Sequence, residues 1–377
     1  MARPTANVGS PSKLFVVIVL AGWLSSAFPP AVVANGLPAL GETRVFARIP
    51  YPGQPHGIAV DGDTVWTASG AFMEPDVEDW PVWALDRRTG EERTDDTMHV
   101  RRPGSVVMAL AGLARDGRGR LYAVDMNGRV LRTTDGHRPA GSRTWEVYAT
   151  IPTHGDGHVH APWPAGTMPI DIAFDAAGNA YLSDINFPGI WRVPPGGGEA
   201  EPWFVDTRLQ GYPVGVAAAR LGPTGRDLYF TQCASGHPDG AAHGVIYRLP
   251  LDRPRPDQLT EVHRVSPGAC PVGLAFGVSG KLYVALGNTF LPAPLSSLTN
   301  QILVLAADGT EALRFPSPAD NAKQEIPYDL PLFLAFDGDG WLLVANTSLT
   351  TPNSEHWAIL KAFVNDTARP LVEPALP

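Results

Sequence analysis

The stretch PIDIAFDAAGNAYLSD (Pro169–Asp184) reads as two short strands: an apolar run opened by proline, a polar Asp/Gly turn, and a second run that begins beside an aromatic residue. The same pattern returns five more times, as PHGIAVDGDTVWTAS (Pro55–Ser69), AGLARDGRGRLYAVD (Ala111–Asp125), PVGVAAARLGPTGRDLYFTQ (Pro213–Gln232), PVGLAFGVSGKLYVAL (Pro271–Leu286) and PLFLAFDGDGWLLVAN (Pro331–Asn346). A repeat on this scale decides the architecture before any single residue is considered. The middle residues of the opening triplets are His56, Ala111, Ile170, Val214, Val272 and Leu332, spaced by 55, 59, 44, 58 and 60 residues.

Each interval holds more than two strands. A third apolar run follows every pair: 82–85, 129–133, 189–193, 244–249, 301–305 and 357–363. A fourth precedes the next copy at 97–101, 145–151, 203–206, 261–265 and 311–315. Four antiparallel strands per unit, repeated radially, predict an all-β fold: a six-bladed β-propeller of four-stranded antiparallel blades. The sixth unit has no fourth run of its own, whereas Arg44–Ile49 stands alone ahead of the first copy. That N-terminal strand is expected to complete the last blade and close the ring, which removes the open sheet edge.

Composition agrees with one such domain. The chain has 377 residues, 44% hydrophobic and 18% charged, with 39 glycines and 38 prolines distributed between the apolar runs. The N-terminus is different: Arg3 and Lys13 precede an uncharged run from Leu14 to Phe28, with small residues near Ala34. Residues 1–34 are expected to be a cleaved signal peptide, an uncleaved anchor being the alternative, and residues 35–377 a single propeller domain. A secreted or extracytoplasmic location follows. Removing residues 1–34 moves the formal charge from −9 to −11, which speaks against nucleic acid or an anionic membrane surface as a partner. A small-molecule ligand or substrate and a monomeric state are the expectations.

The strand order gives the disc two unlike faces. The opening triplets and the ends of the second strands converge on one mouth of the central channel, so functional loops are sought there. Cys233 and Cys270 fall on this face in neighbouring blades and are expected to form a disulfide, two buried free thiols being the alternative. Polar residues cluster at the ends of the second strands: Asp125, Asn127, Asp184, Asn186, Gln232, Asn288 and Asn346. They are candidates for contact with a ligand, although Asp and Asn after a strand also cap turns. His56 and Asp171 are the candidate catalytic residues: His56 as a general base, a metal ligand being the alternative, and Asp171 as the one acid at an opening triplet. His158 and His160 share one side of an extended Gly-rich segment and are candidate metal ligands, joined by Asp184 and Asn346. No G-x-S-x-G elbow, phosphate loop, H-E-x-x-H or dinucleotide fingerprint is present.

The triplet followed by apolar–Ala–Phe–Asp, with its Gly-x-Leu-Tyr strand, resembles the senescence marker protein/gluconolactonase-like superfamily of six-bladed propellers, with strictosidine-synthase-like and NHL-like relatives. The resemblance covers roughly residues 44–364. It implies a lactone or ester hydrolase acting at the channel mouth with a divalent metal, calcium or zinc, held by an early Glu and by Asn or Asp at the triplets. This chain departs from that pattern. His56 stands where the Glu is expected, and Ile170, Val214, Val272 and Leu332 stand where oxygen ligands are expected. A non-catalytic propeller that binds a small molecule or peptide is therefore the competing reading. Condensation of the strictosidine-synthase kind would have Glu74 or Glu78 as its acid.

Overall fold

The computed structural model describes residues 36–70, 76–102, 109–134, 136, 139, 142–153, 166–211, 214–235, 243–288, 300–349 and 353–376. From Pro38 onward the chain forms one unit of six antiparallel sheets arranged as propeller blades. Blade one consists of Pro55–Asp61, Thr64–Ser69, Asp79–Asp86 and Met98–Arg101, and the next four blades repeat this order from the inside outward. A two-residue strand, Gly198–Glu199, adds a parallel fifth member to the outside of blade two. Helix is limited to short turns such as Pro318–Asn321.

Blade six joins the two ends of the propeller. Its inner strands are Pro331–Gly338, Trp341–Asn346 and Ala358–Phe363. Its outer strand is Thr43–Arg48, antiparallel to Ala358–Phe363 with Thr43 opposite Ala362 and Arg48 opposite Ala358. The expected closure by the N-terminal strand is what the sheet shows.

The second strands are buried almost throughout because each blade packs on both faces. The inner strands meet their neighbours through the residue after the triplet's midpoint, and glycine there has a steric reason. A Cβ on Gly57 would strike the backbone of Ala111–Leu113, one on Gly112 that of Ile170, and one on Gly273 that of Leu332. Blade three carries Asp171 at this position, and the carboxylate crosses to blade four. It accepts from the Ala219 amide (3.1 Å) and from Arg220 Nη1 (2.6 Å). Hydroxyls make similar links. Ser183 Oγ donates to Ala217 O and Thr231 Oγ1 to Val272 O, both at 3.1 Å, across successive blades.

At the face away from the mouth, the hairpin turns use a repeated pair. Tyr122 donates to Asp116, and Tyr181 to Asp175, each at 3.0 Å and six residues apart. After blade six the chain continues as an extended segment to Leu376 along this same ring of turns.

Candidate functional site

Register places the candidate residues on one rim. Pro55 lies opposite Ser69, Pro169 opposite Asp184, and Pro331 opposite Asn346, so triplets and second-strand ends share the mouth. The channel wall at this level is apolar. Ile170, Val214, Val272 and Leu332 are 5–8% exposed and belong to one cluster with Ala111, Met126, Met168 and Ile185. The disulfide Cys233–Cys270 is formed and lies in the same cluster, pinning the mouth end of blade four to blade five.

Most of the polar candidates spend their atoms on the scaffold. The Asp125 carboxylate accepts from the Asn127 amide (3.0 Å), from Asn127 Nδ2 (2.6 Å) and from Arg129. Asp184 accepts from the amides of Met168 and Asn186 and from Trp191 Nε1, at 2.9–3.2 Å. Asn186 Nδ2 donates to Gly166 O. Gln232 Nε2 donates to the carbonyls of Arg208 and Gln210, while its Oε1 has no partner among the described residues. These bonds tie second-strand ends to neighbouring turns and to the segments leading into the inner strands, which is the turn-forming alternative raised by their residue types. Asn288 lies opposite Ala269 at the mouth end of blade five, but its side chain is outside the described residues, as are His158 and His160.

His56 is buried on the channel wall, with Nδ1 3.0 Å from Gln54 O and the ring centroid 6.4 Å from that of Phe333. A carbonyl only accepts, so Nδ1 carries the proton. Burial pulls the imidazole pKa down to about 4, and the ring is neutral at physiological pH. Asp171 is fully buried. Desolvation pushes its pKa up, opposed by Arg220 and by the amides of Ala219 and Ile172.

Three residues not singled out by sequence meet at the mouth side of blade six. Asp329 leads into the inner strand, Ser348 follows the second strand, and His356 ends the 3-10 turn Ser354–His356 that precedes the third. Asp329 Oδ2 accepts from Ser348 Oγ at 2.6 Å and from His356 Nδ1 at 2.8 Å. Asn346 positions both partners from below: its Oδ1 accepts the Asp329 amide (2.7 Å), and its Nδ2 donates to His356 O (2.9 Å) and Pro327 O (3.1 Å). Ser348 sits at φ +49° and Leu330 at φ +51°, conformations that non-glycine residues rarely hold without support. The neighbours of the trio, Leu330, Leu349 and Trp357, all pack into the apolar cluster of the channel wall, so the trio stands at its rim. The side chains of His356 and Asp329 are 26% and 16% exposed, whereas Ser348 is buried.

With Nδ1 donating to a carboxylate, His356 Nε2 is the basic nitrogen of the neutral ring, and it makes no hydrogen bond among the described residues. This arrangement can take a proton from water or substrate. Holding a divalent cation is another matter. Calcium asks for six to eight oxygens and zinc for three or four nitrogen, sulfur or oxygen ligands. The triplet midpoints supply one tied histidine and five apolar side chains, and the nearby carboxylates are engaged. Among the described residues no group of three or more His, Cys, Asp or Glu side chains is placed to hold a metal. Among the described residues the donor set does not fit the ion that the family resemblance implies.

No protein-family profile matches the chain, and no curated protein sequence matches it. Solved structures do. A protein assigned as a gluconolactonase is 17% identical with a TM-score of 0.52, covering 88% of this chain and 95% of its own. Regucalcin from Agrobacterium tumefaciens, described as calcium-binding, is 16% identical with a TM-score of 0.56, covering 89% and 98%. A streptogramin B lyase is 14% identical with a TM-score of 0.51, covering 85% and 97%. The chain has the six-bladed fold of gluconolactonase-type propellers. At these identities the likeness is one of fold, and a lyase shares it.

Proposed function

We propose that this protein is an exported hydrolase that opens a lactone or ester bond at the channel mouth, with His356 as general base and Asp329 as its orienting carboxylate. The observation that carries the reading is the His356 Nδ1–Asp329 Oδ2 bond of 2.8 Å at the rim of an apolar channel wall. His356 Nε2 removes a proton from water as the water oxygen bonds to the carbonyl carbon. The Asp329 carboxyl group, bonded to Nδ1, stabilises the imidazolium that forms. When the tetrahedral adduct collapses, the C–O bond to the leaving alkoxide breaks and the imidazolium returns its proton to that oxygen, giving a hydroxy acid from a lactone. Ser348 and Asn346 hold Asp329 and His356 in place, and the apolar wall receives the non-polar part of the substrate. No step passes through a metal. Export is supported by the basic–apolar N-terminus and by the disulfide, which persists in oxidising compartments.

A second reading has its own support: the apolar wall and the spare acceptor on Gln232 suit a binding propeller without chemistry. One experiment separates the two. Protein beginning at residue 35 is treated with chelator and offered a panel of lactones and aryl esters. Hydrolysis is expected without added metal, reduced about 10²–10⁴-fold in His356→Gln with the thermal midpoint retained. Absence of turnover across the panel would favour the binder. Turnover restored by calcium or zinc, or undiminished in His356→Gln, would remove the dyad from the chemistry.

A further inference from the structure

We propose that Asn365–Leu376 is a strap across the far opening of the central channel, anchored by an exchange of one carboxylate between blade five and the chain terminus, so that the channel is a blind funnel entered from the mouth alone. In blades two and three the hairpin turn supplies an aspartate for the tyrosine six residues on: Asp116 for Tyr122 and Asp175 for Tyr181. Blade five keeps the tyrosine, Tyr283, but has Gly277 in place of the aspartate. The turn is otherwise the same. The Gly277 amide donates to Lys281 O as the Asp116 amide does to Arg120 O and the Asp175 amide to Asn179 O. The missing carboxylate arrives from the C-terminal segment. Asp366 accepts from Tyr283 Oη at 3.0 Å, from the Thr367 amide at 2.9 Å and from Ser279 Oγ. A Cβ on Gly277 would collide with this carboxylate, so the glycine makes its room. Main-chain bonds extend the anchor: the Val278 amide donates to Thr367 O and the Arg369 amide to Phe276 O, both at 3.0 Å.

The other end is fixed on the opposite side of the ring. The Gly117 amide donates to Pro374 O at 3.0 Å, Arg120 Nη2 to Leu376 O at 2.8 Å, and Arg115 Nη2 lies 3.4 Å from Glu373 Oε2. These are blade-two residues. Leu376, 2% exposed, is buried among Tyr122, Phe174 and Val193 of blades two and three. Blades five and two face each other in a ring of six. Sheets packed about 10 Å apart put opposite inner strands roughly 20 Å apart directly, and about 30 Å apart around the rim. Five steps from Arg369 to Pro374 reach at most about 18 Å, and the 3.0 Å hydrogen bond at each anchor extends the span to about 24 Å, which covers the direct crossing but not the path around the rim. The hairpin turns surround the opening, so a segment of this length passes over it.

The test uses hydrogen–deuterium exchange on the full propeller, and it does not depend on any activity. Slow exchange is expected for the amides of Val278, Gly117 and Arg369 in the wild-type protein. Gly277→Asp combined with Asp366→Asn returns to blade five its own turn carboxylate while taking the anchor from the strap. This pair should keep the wild-type thermal midpoint within a few degrees and lose protection at Val278 and Arg369. Asp366→Ala alone should lose the same protection and lower the midpoint as well, because Tyr283 Oη is left without its acceptor. Wild-type amides in 365–376 that exchange as fast as an unfolded chain would overturn the proposal. So would unchanged protection at Val278 and Arg369 in the double variant.

Discussion

Acidification should destabilise this protein through one buried imidazole, and replacing His56 by glutamine should remove that part of the pH dependence. His56 is neutral and fully buried, donates to Gln54 O, and has its pKa depressed from an ordinary 6.5 to about 4 by desolvation. In the unfolded chain the ring takes a proton through pH 6.5, whereas in the folded chain it resists until about pH 4. A depressed folded pKa makes stability greatest above 6.5 and progressively lost as pH falls through that window. At 1.36 kcal/mol per pH unit the whole effect is about 3 kcal/mol, with a slope approaching 1.4 kcal/mol per unit between pH 6 and 4.5. Gly70 lies directly against the Cε1–Nδ1 edge of the ring, which is where a larger residue would collide. The carboxylates held low by arginine, such as Asp86 at about 2 beside Arg93, act below this window. Urea unfolding of wild type and His56→Gln at pH 7, 6, 5 and 4.5 gives the comparison. Whatever pH-independent offset the glutamine brings, wild type should lose about 2–3 kcal/mol relative to His56→Gln across the series. Parallel curves would refute the assignment of a buried neutral His56.

Removing Arg220 as Arg220→Met leaves the fully buried Asp171 without its cation and should cost about 3–5 kcal/mol in chemical denaturation, much of it recovered when Asp171→Asn is added. Replacing Cys233 and Cys270 by serine opens a loop with a sequence separation of 37 and should lower stability by about 4 kcal/mol on a chain-entropy basis; an unchanged midpoint would show that the cross-link does not constrain the unfolded chain. Deleting the chain through Arg48 strips blade six of its outer strand and should give insoluble protein, checked by size-exclusion chromatography; a soluble monomer with a wild-type melting curve would contradict ring closure.

The architecture was legible because it is written six times. Proline-opened triplets, Asp/Gly turns and aromatic second strands each report the same sheet, and the orphan strand at 44–49 could only belong to the blade that lacked one. The site was not written in this way. Asp329, Ser348 and His356 are 19 and 8 residues apart along the chain, with no spacing rule to join them; the register of blade six brings them together. Asn346, a candidate metal ligand by its position, hydrogen-bonds the backbone of the two residues that meet beside it. Asp125 and Asp184 carry the same lesson: an acid ending a buried strand answers first to the unpaired amides beside it. The repeat also held a signal for the C-terminal segment. Tyr283 has no aspartate six residues before it, and Asp366 has no place in the repeat.

The most direct measurement is the pH dependence of kcat/KM for hydrolysis of an apolar lactone by chelator-treated protein, wild type beside His356→Gln and Asp329→Asn. Metal-free turnover that rises with pH through a single ionisation, with that limb absent from His356→Gln and the rate severely reduced in Asp329→Asn, is what a His356–Asp329 base at the mouth requires. Identical profiles in all three proteins, or a rate that appears only with an added divalent cation, would contradict it.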